Sequence, residues 1–367
     1  MTLICKEAWE EVCILATGDV VCSCVDANAN YILGNIRENR IDDIFHGERY
    51  RDIRRTLLHS GHSSYCPALG CSCASKTEVA PDRAVEPPTR IKKIRLETIS
   101  FCNLRCPECK VAEWRAEGGG GPDSRGLHWR FAQLSLEDIR PVILDTKDTL
   151  EQIWIYNYGE PFLDKNLLDV LRFLRKAAPG VWLYTHTNGN AIPEGWIETI
   201  IRDDLIDSIS FSIDGASQET YGKYRIGGSF ETAFHNLLEF KRLKRQYRDS
   251  KPDWRKDLPH IAWQYILFQW NDSPEELARA QKLADEHDLR IQWVLTDTPG
   301  KSERFTHDSV EYQRLQGIKH YSNELLALRR EQAADRAYLA RIRRFLRIRL
   351  PWFFVSRYRR YILGQKN

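Results

Sequence analysis

The sequence predicts an α/β fold: a partial (β/α)6 TIM-like barrel, preceded by a small cysteine-rich domain and followed by a basic helical tail. Three observations support this prediction. From Ile91 onward, short apolar strands alternate with amphipathic helical patterns, which is typical of βα units and a parallel sheet. All ten cysteines lie in the first 109 residues, and the last 32 residues carry ten cations and no acid.

Six strands and five helices account for the predicted barrel. The strands are short apolar runs at Lys93–Thr98, Gln152–Asn157, Val181–Thr187, Ser208–Ile213, His260–Phe268 and Arg290–Leu295. The helices carry apolar residues at helical spacing, at Ser135–Leu144, Asn166–Ala177, Pro193–Asp203, Ser229–Tyr247 and Ser273–His287. The last helix begins with an N-cap serine and a proline at its first position. Active residues of such barrels gather where strands end.

The prolines between Val79 and Thr89 have no backbone N–H to donate and restrict the backbone dihedral angles. They disfavour a helix or strand, so this stretch is predicted to be a linker. We therefore expect a cysteine-rich domain over residues 1–78, a linker over 79–90, the partial barrel over 91–300 and a helical basic extension over 301–367. The length of 367 residues fits two domains, or one large barrel with an appendage.

Composition indicates a globular protein from a reducing compartment. The chain is 42% hydrophobic and 29% charged, with a formal net charge of +3. Its start shows no basic stretch followed by an apolar one, and no apolar run approaches the roughly 18 residues of a membrane-spanning helix. We expect a cytoplasmic protein whose reduced thiols bind metal rather than form disulfides.

Cys102, Cys106 and Cys109 form a C-x3-C-x2-C motif directly after the first predicted strand. A cuboidal iron–sulfur cluster normally binds four thiolates, so three thiolates leave one iron open to a substrate or cofactor. The alternative is a structural zinc site that a distant fourth ligand completes.

This motif and the elements at the following strand ends resemble the radical S-adenosylmethionine (SAM) superfamily. The segment after the second strand is similar to the superfamily's GEP motif, which implies that Gly159, Glu160 and Pro161 hold the amino group of SAM. The later strand ends imply further SAM contacts, at Asn188, Ser212, Asp214, Arg225, Gln264 and Asn271. In this resemblance Arg225 and Ser212 would bind the SAM carboxylate, and Gln264 and Asn271 would reach the ribose. The alternative for the short polar residues is a role in turns.

The N-terminal cysteines resemble those of SPASM or twitch modules, which bind auxiliary iron–sulfur clusters. They begin with a C-x12-G-x3-C arrangement at Cys5, but the module precedes the barrel, whereas such modules usually follow it. The seven N-terminal cysteines could fully ligate one cluster or hold two with one open position; we favour one auxiliary 4Fe–4S cluster, with ligands at Cys5, Cys22, Cys66 and one of Cys71 or Cys73. A zinc-bound knuckle is the alternative, and Cys13 is expected to be an ordinary buried thiol.

The superfamily resemblance also implies the chemistry. A 4Fe–4S cluster binds SAM at its open iron and, with an electron from a donor such as flavodoxin or ferredoxin, cleaves it to methionine and a 5′-deoxyadenosyl radical, which abstracts hydrogen from the substrate. We expect a carbohydrate, glycan or other small polyol-like substrate, because no segment is typical of the winged-helix module of many peptide maturases. A SPASM-type peptide or protein maturase is the alternative.

No cysteine follows Cys109, which disfavours a simple epimerase, because radical epimerases commonly return hydrogen from a thiol. A dehydrogenase needs no such donor: the substrate radical loses a proton to a base and an electron to the auxiliary cluster. Candidate bases at the barrel mouth are Glu97, Tyr184 and His186. The alternatives are an epimerase that uses a spare N-terminal cysteine and a zinc-stabilised binding protein on an eroded barrel.

Residues 336–360 combine apolar side chains at helical spacing with arginines on the other side. Such a helix can lie on an anionic membrane surface, which would suit a lipid-linked glycan substrate. The alternative is a helix packed against the barrel with a solvated arginine face. Nucleic-acid binding ranks lowest, because the tail has no recognition module and the other 335 residues carry a net charge of −7.

Overall fold

A nine-stranded, mostly parallel sheet organises the part of the chain that the structure, a computed structural model, describes: residues 2–5, 7–60, 76–79, 90–116, 131–252 and 255–317. The strands in chain order are β1 (Thr2–Cys5), β2 (Glu11–Ile14), β3 (Asp19–Val21), β4 (Ile32–Asn35), β5 (Lys76–Val79), β6 (Lys93–Leu96), β7 (Gln152–Trp154), β8 (Trp182–Thr187), β9 (Ser208–Ser212), β10 (His260–Ile266) and β11 (Ile291–Val294).

The sheet has the order β11-β10-β9-β8-β7-β6-β2-β3-β4 and does not close into a barrel. Every neighbouring pair from β11 to β2 is parallel. The strands β2, β3 and β4 then form an antiparallel meander. A separate antiparallel pair joins β1 to β5.

Helices connect the parallel strands and cover one face of the sheet. In chain order they are α1 (Glu7–Glu10), α2 (Ile41–Phe45), α3 (Glu48–Ser60), α4 (Lys110–Ala116), α5 (Leu136–Thr146), α6 (Leu167–Ala177), α7 (Trp196–Arg202), α8 (Gln218–Tyr224), α9 (Phe230–Tyr247), α10 (Pro274–Glu286) and α11 (Val310–Gly317). Serine caps start several of them: Ser135 and Asp138 form a capping box on α5, and Ser273 accepts from the backbone of Glu276 on α10. None of the described helices is long and apolar enough to cross a membrane.

The two faces of the sheet differ because strand residues alternate in direction. On the covered face, residues such as Ile94, Ile153 and Ile209 pack with the helices in one large core cluster. The opposite face, called the inner face here, carries polar, charged and aromatic groups: Lys93, Arg95, Trp154, Tyr156, Tyr184, His186, Ser210, Ser212 and Gln264. The inner face is therefore the side on which a ligand would find polar partners.

The predicted α/β fold is confirmed. The six predicted strands are β6–β11, each one to three residues shorter than expected, and the five predicted helices are α5, α6, α7, α9 and α10. The predicted domain boundaries stay predictions. The basic tail, with its predicted membrane contact through residues 336–360, lies outside the described residues.

The sequence did not predict that the N-terminal region extends the sheet. Strand β2 pairs in parallel with β6, so that Val12 lies opposite Ile94 and Ile14 opposite Leu96. Trp9, Phe45 and other N-terminal residues belong to the same core cluster as the barrel strands. The N-terminal region and the barrel therefore share one hydrophobic core.

This shared core can be tested with Ile14→Ala. Because Ile14 is fully buried, the substitution is expected to lower the free energy of unfolding by about 2–5 kcal/mol, measured by urea unfolding followed by circular dichroism. Leu144→Ala is the control: Leu144 is 46% exposed on α5, and its loss is expected to cost less than about 0.5 kcal/mol. Equal effects of the two changes would contradict a shared core.

Candidate active site

The three motif cysteines lie in the loop between β6 and α4. Cys106 is buried, and Cys102 and Cys109 are half-buried. Burial raises the pKa of all three thiols, that of Cys102 to about 12. Metal ligation needs thiolates, so metal binding at this loop would release protons.

Two polar side chains from other elements contact these thiols. Asn188, which follows β8, donates from Nδ2 to Cys102 Sγ at 3.6 Å, and Arg225, which follows α8, donates from Nη1 to Cys106 Sγ at 3.7 Å. The backbone N–H of Leu104 also donates to Cys102 Sγ, at 3.5 Å. Donors of this kind stabilise a thiolate or a cluster-bound sulfur.

The donor set fits a cluster better than a single ion. Within the described ranges, no three Cys, His, Asp or Glu side chains converge tightly enough to hold one metal ion. In a cuboidal cluster each thiolate binds a different iron, whereas a zinc site brings its ligands to one point. One buried and two half-buried thiols in one loop, with hydrogen-bond donors beside them, therefore match a three-cysteine 4Fe–4S site.

Glu160 follows β7 in the chain and is 3% exposed. Its carboxylate accepts from Thr187 Oγ1 at 2.8 Å, from the backbone N–H of Asn188 at 2.8 Å and from that of Phe162 at 3.2 Å. Burial raises its pKa to about 7, although these hydrogen bonds oppose the shift. Because a carboxylate has about four acceptor positions, Glu160 can accept one further donor.

The neighbouring Gly159 packs directly against the start of the cysteine loop. A Cβ at this position would lie 1.9 Å from the carbonyl oxygen of Ile99. The backbone N–H of Glu160 donates to the carbonyl of Phe101 at 2.8 Å, and Pro161 begins a short 3-10 turn. Glycine is thus required for the close approach of the GEP segment to the cysteine loop.

Asp214 and Arg225 form a buried ion pair after β9. The guanidinium of Arg225 contacts Asp214 Oδ2 at 2.6 Å, and the backbone N–H of Ile266 donates to Asp214 Oδ1 at 2.7 Å. Burial raises the pKa of Asp214 against the attraction of Arg225. Asp214 therefore orients Arg225, whose Nη1 remains directed to Cys106.

Gln264 and Asn271 differ in what their amides contact. Gln264 donates to Ser212 Oγ at 3.4 Å on the inner face. Asn271 is fully buried and donates to the carbonyls of Asp214 and Ile266 at 3.1 and 3.0 Å, so both of its amide hydrogens are used by the backbone. The structure therefore places Asn271 as a brace between β9 and the turn after β10.

Among the three predicted bases, Tyr184 and His186 lie together on the inner face. The Tyr184 hydroxyl contacts His186 Nε2 and lies 3.0 Å from Ser210 Oγ. Burial, together with the positive charges of Arg95 and Arg225, lowers the pKa of His186 to about 3. The imidazole is therefore neutral at pH 7.

Glu97, the third predicted base, is tied to the backbone of two other segments. Its carboxylate accepts from the N–H groups of Ala16 at 3.2 Å, Tyr158 at 3.0 Å and Gly159 at 3.4 Å. It is 3% exposed, and burial raises its pKa. Glu97 therefore connects the turn after β2 with the GEP segment.

Two family models match the chain, and together they cover more than half of it. The model of the radical SAM superfamily matches residues 96–246, which include the cysteine loop, Glu160 and Arg225. Residues 96–246 are a radical SAM domain. The second model, SPASM, an iron–sulfur cluster-binding domain, matches residues 5–73. These domains imply a 4Fe–4S cluster with SAM and auxiliary iron–sulfur binding.

Several solved structures resemble this radical SAM protein. Native anSMEcpe with bound AdoMet is 15% identical, with 57% of this chain and 55% of that chain covered and a TM-score of 0.41. BtrN in complex with AdoMet and 2-DOIA is 17% identical, with 48% and 57% covered and a TM-score of 0.28. Methylornithine synthase (PylB) is 12% identical, with 62% and 63% covered and a TM-score of 0.37. The chain spans a little over half the length of the first of these. No curated protein matches the chain.

The SPASM region divides its described cysteines into two groups. Cys5 and Cys22 belong to the large core cluster, and Cys13 and Cys24 pack with Leu15 in a second one. The remaining predicted ligands lie outside the described residues: Cys66, Cys71 and Cys73. The individual ligands of the auxiliary cluster therefore stay a prediction.

Sequence reasoning missed the contacts of Arg95 and the bridging role of Glu97. One signal was present: Lys93, Arg95 and Glu97 place charges at every second position of a strand in a parallel sheet. Strands of such sheets are usually apolar on both faces, so this pattern indicates a face reserved for polar contacts.

Gly159→Ala tests the close approach of the GEP segment. The added methyl would collide with the Ile99 carbonyl, and we expect a fall of about 100-fold in 5′-deoxyadenosine formation, measured by chromatography after anaerobic reduction. Gly180→Ala is the matched control, because a Cβ there meets nothing within 4 Å. Full activity of the Gly159→Ala protein would refute the steric requirement.

Glu97→Gln tests the bridge between the SPASM region and the GEP segment. The amide presents a donor to backbone N–H groups, and we expect a loss of about 1–3 kcal/mol in stability. Hydrogen exchange should accelerate at the amides of Ala16, Tyr158 and Gly159. Glu113→Gln removes only an exposed pair with Lys110 and should leave stability and exchange unchanged. Unaltered protection at the three amides would show that Glu97 does not hold them.

Proposed function

We propose that this radical SAM protein is a dehydrogenase of carbohydrates or other small polyols that uses its auxiliary iron–sulfur cluster as electron acceptor. The composition of the inner face supports this proposal most directly. Aromatic rings at Trp154, Tyr156 and Tyr184 stand beside hydroxyl and amide groups at Ser210 and Gln264. Rings can stack on the C–H face of a sugar, and the polar groups can bond to its hydroxyls.

The residues at the rim of the sheet would hold the cofactors. Cys102, Cys106 and Cys109 would ligate the cluster, Glu160 would accept from the amino group of SAM, and Arg225 would meet its carboxylate. When bound, the cluster and SAM supply one-electron chemistry that generates a radical able to take a hydrogen atom from an unactivated C–H group.

In this proposal the Tyr184–His186 pair would receive the substrate's proton. The neutral imidazole can accept at Nε2, where the Tyr184 hydroxyl lies, and Ser210 extends this chain of polar groups along the inner face. With the cofactors bound, the substrate would lose one hydrogen atom to the radical, one proton to the Tyr184–His186 pair and one further electron. The auxiliary cluster would take that electron, and a donor such as flavodoxin or ferredoxin would supply the electron that the cofactors need.

We place this reaction in the reducing cytoplasm. Five of the described cysteines are free thiols: Cys13, Cys24, Cys102, Cys106 and Cys109. Reduced thiols available for iron are typical of that compartment.

A second candidate function is a radical epimerase, which one observation favours. Cys13 and Cys24 both belong to the second core cluster, and Cys13 lies directly opposite Arg95 in the pairing of β2 with β6. A thiol there could return a hydrogen atom to a substrate radical. The two functions differ in product mass and in the source of hydrogen.

The deciding experiment is an anaerobic assay with reductant and SAM in D2O, using a panel of sugars, cyclitols, aminocyclitols and sugar phosphates. A dehydrogenase forms 5′-deoxyadenosine together with a product two mass units lighter than the substrate. An epimerase instead forms a product of unchanged composition that carries one solvent deuterium. Labelling the substrate carbon with deuterium should transfer one deuterium to 5′-deoxyadenosine.

Two controls separate the chemistry from misfolding. The triple variant Cys102→Ala, Cys106→Ala, Cys109→Ala should lose about four irons per chain and all 5′-deoxyadenosine formation. Gly180→Ala should retain both. Formation of 5′-deoxyadenosine by the triple variant, or turnover of peptides and of no compound in the panel, would refute the proposed function.

A further inference from the structure

Arg95 lies on the inner face and has no role in the proposed cofactor site. It lies on β6, directly opposite Trp154 on β7 in the parallel register, two residues before Glu97. Its guanidinium carbon is 4.7 Å from the centre of the Trp154 ring and 5.3 Å from that of Tyr156. The side chain is half-buried and on the same face as the predicted base His186.

The charge of Arg95 is not balanced by an ion pair. Within the described part of the chain, no carboxylate oxygen lies within 4.0 Å of its guanidinium, although the neighbouring Lys93 pairs with Glu11 at 2.7 Å. The Tyr156 ring lies beside the guanidinium, and burial raises the pKa of Tyr156 to about 12, so this neighbour is neutral. A half-buried guanidinium with a neutral partner favours an anion from outside.

Among the described residues, the nearest neighbour of Arg95 on β2 is a thiol. Cys13 lies directly opposite Arg95 in the pairing of β2 with β6. It is buried, and burial raises the pKa of its thiol well above the usual value, so it is neutral. Glu7 and the thiol of Cys24 complete this set of neighbours.

Arg95 and the arginine of the cofactor site share one neighbour, His186. The charges of Arg95 and of Arg225, the guanidinium beside the cysteine loop, both depress the pKa of His186. The pKa of His186 is therefore lowered by one guanidinium on the cofactor side and by one on the inner face. Aromatic rings pack beside His186: the Tyr156 and His186 ring centres are 4.2 Å apart, and those of Tyr156 and Tyr184 are 5.5 Å apart.

We propose that Arg95 anchors an anionic group, a carboxylate or a phosphate, on a carbohydrate-like substrate that binds along the inner face. This inference rests on the proposed function and specifies its substrate class as an anionic sugar or polyol. A guanidinium offers two parallel donors that match the oxygens of a carboxylate or phosphate. Trp154 and Tyr156 hold the guanidinium plane in place from one side.

The test measures binding rather than turnover, with the cluster-loaded protein and SAM in an anaerobic calorimeter. The probes are glucose 6-phosphate, glucuronate and glucose, which share a ring and differ in charge. We expect one of the two anionic probes to bind at least about tenfold more tightly than glucose, and Arg95→Gln to remove that difference. The probe that is preferred distinguishes a phosphate from a carboxylate. Arg95→Lys should retain part of the preference, because it keeps the charge without the paired donors.

Arg140→Gln is the matched control. Arg140 is an exposed arginine on α5 that also lies over a ring, with its guanidinium 4.7 Å from the centre of Phe173. Its loss should leave the affinity for all three probes unchanged. Thermal unfolding of each variant excludes misfolding as the cause of lost binding.

Each outcome decides the inference. Equal affinity for charged and neutral probes, no binding of either anionic probe, or undiminished anion binding by folded Arg95→Gln would overturn it. If an anionic probe binds through Arg95 but is not oxidised in the turnover assay, the anchor stands and the proposed dehydrogenation fails. If instead a neutral polyol is oxidised without any contribution from Arg95, the proposed function stands and the anchor fails.

Discussion

The active site depends on the unequal faces of a parallel sheet. Parallel sheets are usually covered on both faces and are apolar on both. Here the residues facing the helices are mostly apolar, whereas most of the alternate residues of β6 to β10 are charged, polar or aromatic. Since the side-chain period is two, a shift of one residue in any strand would send its polar side chains into the core. The core packing that sets the register therefore also sets which groups face a substrate.

At the rim, the cofactor site is assembled from backbone contacts between neighbouring strand ends. Glu160 accepts from the end of β8, and Asp214 is held by the backbone of Ile266 at the end of β10. Asp214 in turn orients Arg225 toward Cys106. Each group near the cysteine loop is thus fixed by the next strand along the sheet, which suits a site whose donors must be in position before charge develops.

Much of the fold was predictable because it is local. Strand and helix periodicity and serine caps are read within a dozen residues, and β6 to β11 follow one another in both sequence and space. The cysteine motif and the GEP motif were recognisable for the same reason, since each is a short run at a strand end. Their placement together follows from the parallel topology, in which strand ends meet at one edge.

The remainder was not predictable because it depends on contacts between distant parts of the chain. Pairing of β2 with β6 joins residues about 80 positions apart, and no short pattern in either strand indicates its partner. Glu97 was a candidate base by position, but its partner N–H groups belong to Ala16 and Tyr158, which the sequence does not bring together. The engagement of both Asn271 amide hydrogens by backbone carbonyls likewise becomes visible only once the turn has formed.

The pairing of β2 with β6 has a consequence for solubility. Without it, β6 would be the outer strand of the parallel sheet and would present a row of unsatisfied backbone groups, a template on which other chains aggregate. The meander of β2, β3 and β4 covers that row and leaves the short β4, with Gly34 in its middle, as the new border. Because the covering strands precede the barrel in the chain, they leave the ribosome first and are present when β6 emerges.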